Sequence, residues 1–185
     1  MSERHLKKIS RLIDQFERTN TQAQLVYKDR HDHLQLVEQH LNPCGNDVIL
    51  LTIKGHLLVE HLLEVNLIRL LDVDRIPRLG FRQKLQLLST IVEQREAKPN
   101  ADLFLAISTL NDTRNQLAHN LKNPQEMQND LQHFINEYHK RAGTKRTSPN
   151  PSADELKTCI LQLCNFLHEV RIHLFRLKNR EQNPE

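Results

Sequence analysis

"VILLTIKGHLLVEHLLEVNLIRLL", residues 48–71, decides the fold. No proline interrupts it, and leucine, isoleucine and valine recur on nearly every side of a 3.6-residue turn. A helix of this kind calls for neighbours all round, so it is expected at the centre of a helical bundle. Lys54, His56, Glu60, His61 and Glu64 within it rule out an ordinary membrane span. Glu60 shares a face with Ile49, Ile53, Leu63 and Leu67, and His56 lies one turn before it. An acid embedded in an apolar row needs a partner, because an unpaired buried charge costs several kcal/mol or more (about that order).

Outward from this segment, the chain reads as helix after helix. Only 4 of its 185 residues are glycine, and strand and hairpin signals are nearly absent. An all-α fold follows: an up-and-down helical bundle with an extra N-terminal helical pair. Helices are expected at 2–18 and 24–41, then, after "NPCGND", from Asp47 to Leu71. "DVDRIPRLG" separates that helix from one at 81–95. "KPNAD", with Asn100 as N-cap, opens the next at 101–121. "KNPQ" precedes a helix at 125–141. "AGTKRTSPNPSAD" reads as a flexible linker, and Ser152 with Glu155 forms a capping-box pattern that starts a helix at 153–178. The chain is expected to be a single domain over 1–185. It comprises a helical appendage at 2–42, the bundle at 46–178 and a disordered tail at 179–185.

"TLNDTRNQLAHNL", residues 109–121, carries the chemistry. At about 100° per residue, Leu103, Ile107, Leu110, Leu117 and Leu121 form one apolar seam, and Arg114 falls at its centre. Ser108, Asn111, Asn115 and His119 form a polar row beside it. The arginine therefore has either an acidic partner, for which Glu60 is the candidate, or an open cleft. Spacing alone leaves a structural ion pair and a functional site equally open.

"RNQLAH", Arg114 to His119, resembles the Arg-x4–6-His signature of the HEPN superfamily, in which a small polar residue, often Asn, follows the arginine. An acid-bearing apolar helix and a helix opening with "LGFRQKLQLL" precede it, as the resemblance requires. It covers residues 46–122, extends to 125–178 only as further helices, and does not reach 1–42. The resemblance implies a bundle that forms a homodimer with both motifs facing one cleft. It also implies a metal-independent endoribonuclease, such as the toxin of a toxin–antitoxin pair with a nucleotidyltransferase-type antitoxin, or a component of a defence system. Arg114 and His119 are then catalytic, with Asn115, Glu60 and Asn111 in support. Residue chemistry agrees: a histidine accepts the proton of a ribose 2′-OH or protonates the leaving oxygen, and a guanidinium suits a phosphorane-like transition state. Two other readings are a non-catalytic interaction module of the same fold and a transcriptional regulator similar to the mannitol operon repressor.

Charge and cysteine content complete the expectations. A net charge of +3 permits an anionic partner without requiring one. Arg4, Lys7 and Lys8, and later Lys140, Arg141, Lys145 and Arg146, are either solvated helix faces or contacts to an RNA backbone. Cys44, Cys159 and Cys164 occur in no CxxC, which suits a reducing cytoplasm, and the last two lie among apolar residues as core thiols. His31, His33, His40 and Cys44 lack zinc-site spacing, so neither metal nor cofactor is expected.

Overall fold

The computed structural model describes residues 32–33, 35–71, 73, 76, 78–95, 102–119, 123–146 and 150–182. The expected helix at 2–18, half of that at 24–41, the Asn100 cap, Leu121, and Arg4, Lys7 and Lys8 lie outside them. The chain divides into two compact units, Met1–Leu36 and Val37–Glu185. The second begins with helical residues 37–41 and a 3-10 turn, Asn42–Cys44.

Five long helices follow: α1 (Val48–Leu71), α2 (Phe81–Gln94), α3 (Asp102–His119), α4 (Pro124–Ala142) and α5 (Ala153–Gln182). No strand occurs among the described residues, and the fold is an all-α bundle. None of these helices is long and apolar enough to cross a membrane.

Helices α1, α4 and α5 start where local chemistry satisfies their first N–H groups. Asp47 Oδ1 accepts from the N–H groups of Ile49 and Leu50 at 3.0 and 2.9 Å. Asn123 does the same for Gln125 and Glu126, with Pro124 in the first turn. Ser152 Oγ accepts from Glu155 N at 3.1 Å, as the capping pattern predicts. Helix α4 ends at Gly143, whose φ of 66° is the left-handed conformation that glycine adopts without strain.

Two expectations change at the C-terminal side. Helix α5 runs to Gln182, so residues 179–182 are helical and not part of a disordered tail. Arg180, Glu181 and Gln182 are good helix formers, and no breaker precedes Pro184. The linker is also tied down at Arg146, which bonds Glu155 at 3.1 and 3.3 Å and Asn136 at 3.0 Å.

The core centres on α1, which packs most extensively on α5, while α3 packs most extensively on α4. Val59, Leu63 and Leu67 of α1, Ile107 and Leu110 of α3, Phe134 and Ile135 of α4, and Ile160 and Leu163 of α5 are completely buried. Burying each contributes about 1.5–3 kcal/mol. Two contacts set α1 against α5. Gly55 admits Ile160, and Asn66 Nδ2 donates to the Leu167 carbonyl at 3.0 Å. Both pairs ascend together, so the two helices run in the same direction. Helix α1 is not covered all round, however. Helices α2, α3 and α5 take three of its sides, and Ile53 and Leu57, four residues apart, remain 39% and 55% exposed.

A Cβ on residue 55 would lie 2.5 Å from Ile160 Cδ1 and 2.8 Å from its Cγ2. Helix propensity alone predicts that Gly55→Ala stabilises by about 1 kcal/mol. Overpacking at this contact costs about 1–3 kcal/mol, so the expected net effect is a loss of stability. Urea unfolding measures it, and Ile160→Val in the same chain is expected to restore part of the loss. A clear gain in the single variant contradicts the close packing.

Candidate functional site

Polar residues of α1, α2 and α3 form two bonded networks, one through His56, Asn111, Asp112 and Arg82 and one around Lys84. His56 is buried on α1 and stacks on Phe81 at the start of α2, with ring centroids 4.5 Å apart and planes 24° from parallel. Its Nε2 lies 3.1 Å from Asn111 Oδ1 on α3. An amide oxygen only accepts, so Nε2 carries the proton and donates. Asn111 Nδ2 in turn donates to Asp112 Oδ1 at 3.2 Å, and Arg82 of α2 donates to the same oxygen at 2.7 Å. The sense of every bond is therefore fixed from His56 through Asn111 to Asp112.

His56 Nδ1 is buried without a hydrogen-bond partner. The ring's pKa is held below the usual 6.5, chiefly because burial disfavours the charged form. The bond to Asn111 and the Glu60 carboxylate oppose this, while the positive charge of Arg114 adds to it.

Glu60 does not pair with Arg114. Its partner is Lys84 of α2, whose Nζ lies 3.2 Å from Glu60 and 2.8 Å from Glu64. Burial alone would lower the Lys84 pKa, but the bonds to Glu64 and Glu60 outweigh it and hold the ammonium above its usual 10.5. The acids are one turn apart on α1, so a single ammonium reaches both.

Arg114 is half-buried, and its guanidinium turns from the apolar seam to the polar row, where Nη1 donates to Asn115 Oδ1 at 3.0 Å. Among the described residues it has no ion pair. Leu110 and Leu117 on either side of it are buried, as the seam predicts. Asn115 and His119 are exposed, and His119 makes no hydrogen bond or ion pair among the described residues. Of the residues singled out by sequence, Asn111 thus bonds His56, Glu60 bonds Lys84, and Arg114 bonds Asn115.

Sequence reasoning missed Lys84, Phe81, Arg82 and Asp112. One signal was present: Lys84 stands between Phe81, Leu85 and Leu88 on the apolar stripe of α2, as Arg114 stands in its own. Two embedded cations compete for Glu60, and the sequence does not rank them.

Most of the other described basic residues pair with acids, some within α4 and some with Asp102 or Glu155. Lys140 pairs with Glu137 at 3.3 Å, and Arg141 pairs with Glu137 at 3.3 Å and approaches Asp102 at 3.9 Å. Glu155 receives His139 at 3.3 Å as well as Arg146. Lys145 is exposed. Surface pairs of this kind contribute little individually, about 0–1 kcal/mol. Cys159 and Cys164 are buried thiols pushed up to about 12 by desolvation, which keeps them protonated and unreactive. Cys44 is also buried, its Sγ on the His40 carbonyl at 3.5 Å.

Because the folded pKa of His56 lies below its unfolded value, the unfolded chain takes up this proton first. The stability that neutral His56 contributes is therefore complete above about pH 6.5 and lost as pH falls through the folded value. The wild type should lose more stability between pH 7 and pH 5 than His56→Gln, as measured by urea unfolding at each pH. Equal slopes contradict this assignment. The chain matches no protein-family model, no curated protein and no solved structure.

Proposed function

We propose that this protein is a metal-independent endoribonuclease of the HEPN type, acting as the toxin of a toxin–antitoxin pair or within a defence system. One observation carries the reading: Arg114, a half-buried cation set in an apolar seam, has no acidic partner among the described residues. A structural ion pair would have consumed Glu60, and Lys84 does so instead. A fixed, uncompensated guanidinium in a partly desolvated position is suited to a phosphate.

The reaction follows from residue chemistry. The ribose 2′-OH attacks the adjacent phosphorus, and the 5′ oxygen of the next nucleotide leaves. This gives a 2′,3′-cyclic phosphate and a free 5′-OH. His119, exposed at the end of α3, accepts the nucleophile's proton or delivers one to the leaving oxygen. Arg114 stabilises the extra negative charge of the phosphorane, and Asn115 fixes the fork that does so. Residues five apart on a helix differ in direction by about 140°, so one chain does not present both groups side by side. Two copies related by a two-fold axis supply one from each chain. The apolar side chains of Ile53 and Leu57 on α1 are available to such a copy. A nucleotidyltransferase-type antitoxin is the partner that the sequence resemblance implies.

Single-stranded RNA incubated with the protein in EDTA should be cut. Arg114→Ala and His119→Ala should each lower the rate by about 100-fold or more while leaving the helical circular dichroism intact. RNA carrying 2′-deoxy residues at the cut positions should resist. Equal cleavage by wild type and both variants means that the activity belongs to a contaminant and the reading is wrong.

A further inference from the structure

We propose that a second copy of this chain docks on the uncovered stripe of α1, antiparallel to it, about a two-fold axis level with Glu60 and His61. This rests on the nuclease reading for the need of two copies, and it names the surface that joins them.

The stripe follows from how α1 is covered. Helix α5 meets it at Gly55 and Asn66, and α2 and α3 meet it at His56. At about 100° per residue, these contacts occupy one side of the helix. The opposite side carries Leu50, Ile53, Leu57, Glu64, Ile68 and Leu71. None of the six is buried, and Leu57 and Leu71 are 55% and 45% exposed. All but Glu64 are apolar, and together they run along about 30 Å of helix at about 1.5 Å per residue. A single exposed leucine is ordinary, whereas an apolar stripe along a whole helix marks a contact surface.

The layout of the stripe fits a copy of itself. A two-fold contact requires that where one residue meets a second, the second also meets the first. About an axis level with Glu60 and His61, an antiparallel copy sets Leu50 level with Leu71, Ile53 with Ile68, and Leu57 with Glu64. Both ends of the contact are then apolar on both sides. Moving the axis one turn back, to Leu57, sets Leu50 against Glu64 and Ile53 against His61, and leaves Ile68 and Leu71 beyond the start of the partner helix. A parallel copy sets the two Glu64 carboxylates against each other, while the antiparallel one keeps them about 10 Å apart along the helix. Lys84 holds Glu60 and Glu64 at the flank of the stripe, so these acids enter the contact already paired.

Sedimentation of the full chain and single-cysteine crosslinking test this. The wild type should be a dimer. Leu57→Glu, which sets a carboxylate against Glu64 of the second copy, should weaken the dimer by about 100-fold or more, while Leu57→Lys at the same place keeps it. Leu57 is exposed, so circular dichroism of both variants should match the wild type. On oxidation His61→Cys should link two chains, because the two copies of residue 61 meet beside the axis. Leu57→Cys should not, because its copies lie about 10 Å apart along the helix. The native cysteines are buried, and the wild type is the control for them. Linking by Leu57→Cys but not by His61→Cys overturns the antiparallel register. A dimer that Leu57→Glu leaves intact and neither cysteine links is joined elsewhere: this inference fails and the nuclease reading keeps its two copies. A monomeric wild type overturns this inference, and if it also cuts RNA in EDTA, the two-chain site falls with it. A dimer with the expected links that cuts no RNA upholds the interface and overturns the nuclease reading.

Discussion

The hydrogen bond from His56 to Asn111 sets the geometry on which the rest of the site depends. It joins two helices whose residues lie 55 positions apart in sequence, and it does so in a buried setting where a lost partner is costly. With Asn111 held, α3 has one permitted rotation against α1. That rotation sends Leu110 and Leu117 into the core, aims Asp112 at Arg82, and leaves Arg114 at the margin. Phe81 seals the imidazole from the α2 side, so the same contact also orients the third helix. The place of Arg114 at the margin of the core is thus a product of helix packing.

Pairing among the charges makes that placement informative. Lys84 between Glu60 and Glu64 satisfies the acids of α1, and Arg82 satisfies Asp112. Such a network holds α2 in register, with modest net energy because each group also gives up water. Among the described residues, these acids pair with Lys84 and Arg82, and Arg114 has no ion pair.

The helices were legible in the sequence because their stops are chemical: Asp47, Pro124 after Asn123, Gly143, and Ser152 before Glu155. The seam of α3 was legible too, since Leu110, Arg114 and Leu117 obey a helical period. Pairing across helices was not. Periodicity tells which face a residue occupies but not how two faces meet, so Glu60 suited Arg114 and Lys84 equally well on paper. Exposure on α1 was hidden for a related reason. Ile53 and Leu57 look like core residues by type, and only the number of helices around α1 decides that they are not. The continuation of α5 through 179–182 was obscured by polar composition, which suits an exposed helix end as well as a tail.

The same-direction packing of α1 and α5 has a consequence for how the chain is made. The Asn66 side chain finds its acceptor 101 residues later, at Leu167, and Gly55 waits for Ile160. During synthesis the most apolar helix therefore emerges long before its principal cover. Until α5 arrives, α2 and α3 cover two of its sides, and a long loop must close to complete the core. Ribosome-bound intermediates of this chain thus expose apolar surface for most of the time it takes to translate it, a demand on chaperones that the finished bundle no longer displays.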